Sequence, residues 1–315
     1  MKRIALAAAI AGAFAAPAFA QSDVTIYGRL NTSIERQKDG DTKVSGVFNN
    51  SSRIGFMGTE DLGGGLKAIF QLEHGFNSDD GAATHGNGFW ARESWVGLTG
   101  SFGTVRLGNT PSATYFASAD YVSLHNHDTG SSADALYAYV NERDANKIAY
   151  KTPSYNGLTA EVQFTLREQA GNNSWDLAVN YDEGPLHLGG GYVKSGEDKL
   201  FVIRGLYEMG DFTFGGYYER DDVEFLGKRN NFRLSAMYTV GASEFHANVG
   251  IAGDWDDLDD SGAKQFTLAY NYNLSKRTKL YALYTRVSND DAAAYNVTTP
   301  GDNFSSFGVG IRHNF

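Results

Sequence analysis

The sequence predicts an all-β fold: a 16-stranded antiparallel transmembrane β-barrel with its third long loop folded inward. Three observations carry that expectation. Short stretches alternate apolar and polar residues, the connections between them alternate between tight and long, and no apolar run beyond the first twenty residues reaches the ~18 that a membrane helix needs.

Those first twenty residues read as an export leader. Lys2 and Arg3 give a basic start, residues 4–16 an apolar run too short to span a bilayer, and Ala18-Phe19-Ala20 a small-x-small cleavage site. Residues 1–20 are therefore expected to be a signal peptide, and residues 21–315 one barrel domain beginning at Gln21. The chain has 27 Lys and Arg against 37 Asp and Glu, a net charge of −10, and Lys2 and Arg3 leave with the leader. So acidic a balance argues against a nucleic-acid partner, which rewards a basic face. With no Cys there is neither a disulfide framework nor a thiolate metal site.

The strands announce themselves by a period of two. In residues 158–166 the apolar positions are Leu158, Ala160, Val162, Phe164 and Leu166, with polar residues between them. One face of such a strand is greasy and the other wet. The same rhythm sets Phe232, Leu234, Ala236 and Tyr238 on one face, Phe266, Leu268, Tyr270 and Tyr272 on another, and Phe307, Val309, Ile311 and Phe315 on the last.

Seven tight turns are expected at 59–65, 100–103, 153–157, 182–185, 209–211, 241–243 and 273–277. Eight longer, polar connections are expected near 37–51, 75–88, 110–144, 168–173, 195–198, 221–228, 254–262 and 289–303. Fifteen connections join sixteen strands, and an even count with turns at one rim and loops at the other is the outer-membrane pattern. Pro111, Pro153, Pro185 and Pro300 fall in or beside connections, where no ladder N–H is lost.

Closure explains why no apolar core is visible. An unpaired backbone amide in hydrocarbon costs several kcal/mol, so the sheet must close with its apolar face toward lipid. Sixteen strands then enclose an aqueous channel. Trp175, Tyr181, Tyr192, Tyr207, Tyr218, Tyr272 and Phe315 sit at apolar-face positions near strand ends, where girdles form. A soluble sandwich is the alternative, but it gives no reason for connection lengths to alternate.

Four stretches resemble a known family: Val24-Thr25-Ile26-Tyr27-Gly28-Arg29-Leu30; Ser52-Arg53-Ile54-Gly55-Phe56 running on to Glu73; Trp95-Val96-Gly97-Leu98 with Gly103-Thr104-Val105-Arg106-Leu107-Gly108; and Gly308-Val309-Gly310-Ile311-Arg312-His313-Asn314-Phe315. They are similar to the Gram-negative general diffusion porins of the betaproteobacterial and neisserial type. The resemblance implies a homotrimer in the outer membrane among lipid and lipopolysaccharide, a third loop that narrows the channel, and a C-terminal aromatic, Phe315, read by the outer-membrane assembly machinery.

Alternation assigns charges to faces on its own. If Ile26 and Leu30 face lipid, Arg29 faces the lumen; by the same argument so do Arg53, Arg106, Lys147 and Lys151, and Arg92 follows if Trp95 points outward. The result is a basic arc on consecutive strands. Against it, residues 110–144 carry Asp120, Asp128, Asp134, Glu142 and Asp144, and a loop that long needs a function. We expect it to enter the barrel and set its acids across from the arc, giving a charged waist of the kind that discriminates ions. The resemblance implies that Arg29, Arg53, Arg92 and Lys151 line this waist; the enteric Pro-Glu-Phe-Gly loop motif is absent, which leaves Asp120 as the first choice among the acids and Asp128 as the second. The register that turns Arg92 inward turns Glu93 outward, so Glu93 is expected at a contact with another subunit, or on a local bulge.

Other chemistry is weakly supported. Asp257-Leu258-Asp259-Asp260-Ser261-Gly262 starts like a calcium loop but has Leu268 where the bidentate Glu belongs. His125 and His127 have poor ligand spacing, and no catalytic motif is present, so no cofactor and no enzymatic activity is expected. The expected function is passive diffusion of small hydrophilic solutes and ions, with a slight preference for anions. A substrate-selective channel and an adhesin or receptor with acidic binding loops are the alternatives.

Overall fold

The computed structural model describes residues 22–86, 88–125, 135–138, 140, 143–166 and 173–315; the expected leader lies outside them. Its seventeen β segments are β1 (Ser22–Asp39), β2 (Thr42–Asn49), β3 (Arg53–Gly63), β4 (Leu66–Gly75), β5 (Glu93–Gly100), β6 (Gly103–Pro111), β7 (Arg143–Lys151), β8 (Leu158–Thr165) and β9 (Ser174–Glu183). They continue as β10 (Leu186–Ser195), β11 (Asp198–Met209), β12 (Phe212–Val223), β13 (Gly227–Val240), β14 (Ser243–Ala252), β15 (Ala263–Asn273), β16 (Thr278–Asn289) and β17 (Phe304–Asn314). One helical turn, α1 (Ala113–Ala117), follows β6.

These segments make sixteen staves, because β2 and β3 are halves of one. β1 pairs with β3 from Ser22 to Arg29 and with β2 from Thr32 to Asp39. At the kink between the halves Ser51 takes φ 53, and the Asn50 N–H donates to Asn31 O at 2.8 Å. Every pairing is antiparallel, and β1 closes the ring on β17, Arg29 standing opposite Asn314 and Asp39 opposite Phe304. Among the described residues no strand is left as an edge to bare its amides in lipid.

The two faces are inverted relative to a water-soluble protein. Ile34 and Leu234 are 65% exposed on the outer face, whereas Arg233, on the inner face beside Leu234, is 1% exposed. Trp175, Tyr192, Tyr207, Tyr272 and Phe315 are exposed as the girdle reading requires, and Tyr181 and Tyr218 are half-buried. At the tight-turn rim Phe212, Tyr238, Phe245 and Tyr270 form a chain of rings with successive centroids 4.7, 6.4 and 5.1 Å apart.

The opposite rim departs from expectation in three places. Connections expected at 37–51, 195–198 and 221–228 are largely ladder: β1 and β2 pair as far as Asp39 and Thr42, β10 and β11 as far as Ser195 and Asp198, and β12 and β13 as far as Val223 and Gly227. Beyond the membrane a strand has water on both faces, so its backbone pairing persists where the apolar alternation stops. Gly40 and Gly196, at φ 56 and 59, supply the left-handed residues of two of these hairpin turns.

Candidate pore constriction

The chain leaves β6 at Pro111 and turns into the barrel. Ser112 caps α1, its Oγ accepting the Tyr115 N–H at 3.1 Å and donating to Asp176 Oδ2 at 2.6 Å; the Thr114 N–H donates to Asp176 Oδ1 at 3.0 Å. Asp176 is an inward-facing residue of β9, so these bonds fix the start of the loop to the wall. Apolar contact continues the attachment: Ala119, Val122, Tyr137 and Val140 pack on Val193, Leu200, Val202 and Tyr217, and Leu136 packs on Ala252, Ala263, Val287 and Phe304.

Arg204 of β11 holds the turn after α1. It donates through Nε to Ala117 O at 2.9 Å and lies 3.3 Å from the centre of the Tyr121 ring. Tyr121 in turn donates to Asp182 Oδ1 at 2.7 Å. Burial and that bond push the phenol up to about 12, which keeps it a donor at neutral pH. The outer limb is tied separately: Leu136 O accepts from Arg229 at 3.1 Å and from Asn231 at 2.7 Å, and the Ala138 N–H donates to Glu219 at 2.9 Å.

Across the lumen lies a charged wall. Arg29 on β1 stands directly opposite Arg53 on β3, and Arg29 Nε donates to Asn314 Oδ1 at 3.1 Å. Glu73 on β4 sits beside them, 3.7 Å from Arg53 Nε and 2.6 Å from Arg92 Nε. Farther round, Arg106 pairs with Glu161, and Lys147 Nζ donates to Thr110 O at 3.0 Å and Gln163 Oε1 at 3.1 Å. A cavity of about 400 Å³ opens between the loop and this side of the wall, lined among others by Glu93, Arg106, Phe116, Tyr121, Lys151 and Asp182.

A family model described as Gram-negative porin matches residues 5–292. The chain belongs to the Gram-negative porin family. Among its relatives, outer membrane porin protein 32 of Delftia acidovorans is 32% identical, and major outer membrane protein P.IB of Neisseria meningitidis serogroup B is 29% identical, each covering 100% of both chains. Among solved structures, an anion-selective porin from Comamonas acidovorans superposes with a TM-score of 0.81 at 29% identity, over 94% of this chain and 100% of its own. This porin is an outer-membrane barrel whose water-filled interior lets small hydrophilic solutes and ions pass down their gradients.

The structure places Arg29, Arg53, Arg106, Lys147 and Lys151 on the inner face, as alternation requires. Arg92 also reaches inward, but from the residue before β5 and not in the register expected. Glu73 stands opposite Glu93 and Gln71 opposite Trp95. Glu93 and Trp95 therefore face the lumen, where Trp95 Nε1 donates to Glu93 Oε2 at 2.8 Å and Arg106 lies 5.4 Å over the Trp95 ring. Val96, 57% exposed, is the residue that faces out. The expectation of an outward Glu93 fails because a tryptophan was assigned to lipid on hydrophobicity alone, and the argument for Glu93 as a subunit contact goes with it.

Asp120 lies in the turn after α1, its N–H donating to Tyr115 O at 3.3 Å; Asp128 and Asp134 are outside the described residues. Phe315 pairs with Gly28 through two backbone bonds of 3.1 Å, and its ring covers that glycine. Sequence reasoning missed the wall acids Glu73 and Glu161 and the anchors Asp176, Arg204 and Arg229. Glu73 was detectable, since it lies at an inward position two residues beyond outward Leu72's neighbour Gln71; the anchors gave no local signal, because their partners are 62 to 93 residues away.

Proposed function

We propose that the waist of this porin favours anions and that Arg29, Arg53, Arg92, Arg106, Lys147 and Lys151 form its basic side. The observation that carries this reading is how the inward-facing charges are matched. Glu73, Glu161, Glu244 and Asp221 each stand within 4.0 Å of a base, and Asp176 is engaged by Ser112 and Thr114. Lys151, by contrast, forms no ion pair among the described residues, and Arg233 is bonded by the amides of Asn248 and Gln265. Glu93 bonds the Trp95 indole and Glu35 bonds Ser33, Gln37 and Ser306, so the sign rests on the surplus of the arc, six bases beside the acids Glu73, Glu93 and Glu161. The anion-selective character of the Comamonas structure agrees with this reading.

The acidic outer loops pull the other way, but their field is screened beyond roughly 8 Å at physiological salt. A zero-current potential across a potassium chloride gradient in a planar bilayer tests the proposal: the sign expected is that of chloride selectivity, and a cation-selective sign overturns it. We further propose the homotrimer that the family resemblance implies. On the outer face of β4, His74 is stacked by Phe89 at 3.9 Å between ring centres, and Trp90 packs edge-on against Phe56 at 5.9 Å, so this wall is covered by residues of its own loop and suits a protein neighbour. Crosslinking in native membranes that yields only monomers would count against it.

A further inference from the structure

Glu73 is the acid around which the basic arc is built. Arg92 Nε donates to its Oε1 at 2.6 Å, Tyr27 donates to its Oε2 at 2.9 Å, and Arg53 Nε lies 3.7 Å from Oε2. Gln71 Nε2 donates to the Tyr27 oxygen at 2.8 Å, which turns the phenol proton toward the carboxylate. Four strands or strand ends thus converge on one buried group.

Two glycines make the convergence possible. Gly55 stands opposite both Tyr27 on β1 and Glu73 on β4, and a β-carbon at Gly55 would collide with the Tyr27 ring. The missing side chain lets Tyr27 cross β3 to a residue 46 positions away. Gly75 does the same for Arg92, whose Cδ would lie 2.8 Å from a β-carbon there. An ordinary solvated wall charge needs no such clearance.

The electrostatic reason is the juxtaposition of Arg29 and Arg53, directly opposite across β1 and β3, where like charges destabilise a sheet. A carboxylate bound to Arg53 and Arg92 offsets part of this repulsion and holds both guanidiniums back along the wall. It also subtracts from the field that a passing ion meets.

We propose that Glu73 is a specificity-determining residue of this channel, an internal counter-ion that limits how strongly the arginine side of the waist attracts anions. The proposal builds on the reading of an anion-favouring waist, yet its sign is independent of it. Removing one negative charge from the inner wall raises the chloride-to-potassium permeability ratio by roughly two- to fourfold at low salt, and by less at high salt.

The test is Glu73→Gln in planar bilayers, with zero-current potentials measured at low and high ionic strength. The expected result is a shift toward anions that shrinks as salt rises. Arg92→Gln should shift the ratio toward cations, and the double variant Glu73→Gln/Arg92→Gln should return close to the parent value. A folded Glu73→Gln channel with unchanged selectivity overturns the proposal. Should that variant not assemble, a double variant displaced as far as Arg92→Gln alone overturns it equally, since Glu73 would then contribute no charge. A cation-selective parent protein sinks the anion reading but leaves the expected direction of these shifts intact.

Discussion

Thr114 Oγ1 occupies the space that a β-carbon on Gly191 would need. The depth at which the third loop seats against β10 is therefore set by the lack of a side chain. Gly191→Val must push α1 toward the pore axis and loosen the bonds from Ser112 and Thr114 to Asp176. Overpacking of this kind costs about 1–3 kcal/mol, which a barrel held by sixteen staves tolerates. Single-channel conductance is expected to fall while the barrel still resists detergent unfolding. If conductance stays at the parent value, the loop is not seated by Gly191.

Lys151 and Arg106 both line the cavity beside the loop, but their surroundings differ. Arg106 is paired with Glu161, and both side chains are largely buried. Breaking a fully buried pair costs roughly 3–5 kcal/mol, an upper bound here because the pair opens on lumen water. Arg106→Met is expected to lower the unfolding temperature, whereas Lys151→Met shifts the reversal potential toward cations with no loss of stability. Thermal melts in detergent beside bilayer recordings separate the two; equal destabilisation by both substitutions would contradict the pairing.

The barrel was legible because lipid imposes a period of two on every spanning strand, and the even strand count followed from the fifteen alternating connections between them. Where lipid ends, the reading ended with it: the pairing of β1 with β2 beyond Glu35 leaves no apolar alternation to detect. The basic wall was legible through parity, as Arg29, Arg53 and Lys151 illustrate. Trp95 broke the rule because its indole pairs with Glu93 and lies under Arg106, so it belongs to the wet side despite its size. The seating of the third loop was not legible at all. Val193, Leu200 and Val202 look like ordinary strand residues, and only the fold shows that they meet Val122 and Tyr137.

Arg229 joins the outer limb of the third loop to two other loops. It donates to Leu136 O, pairs with Asp221 at 2.9 Å, lies 4.4 Å over the Trp255 ring and donates to the Tyr295 hydroxyl. Arg229→Met strands Asp221 and Glu219 without their base and frees the loop carbonyl. The expected outcome is a noisier open channel, with added flickering and closure at lower voltage, and an average conductance close to that of the parent. Quiet, voltage-resistant recordings from the variant would mean that the apolar contacts of Leu136 hold the limb without Arg229.

Phe315 does two separable things. Its backbone exchanges two 3.1 Å hydrogen bonds with Gly28, completing the closure of β1 on β17, and its ring shields that glycine from lipid. Phe315→Ala keeps the bonds and loses the ring, whereas deletion of residue 315 loses both and leaves the N–H and C=O of Gly28 unpaired at the membrane boundary. In detergent, the deletion is expected to lower the temperature at which the folded band is lost in gel electrophoresis more than Phe315→Ala does. In cells the ranking should differ if the assembly machinery reads the aromatic ring: Phe315→Ala then yields little barrel in the outer membrane despite refolding well in detergent. Normal cellular assembly of Phe315→Ala would leave the ring with a packing role and no part in recognition.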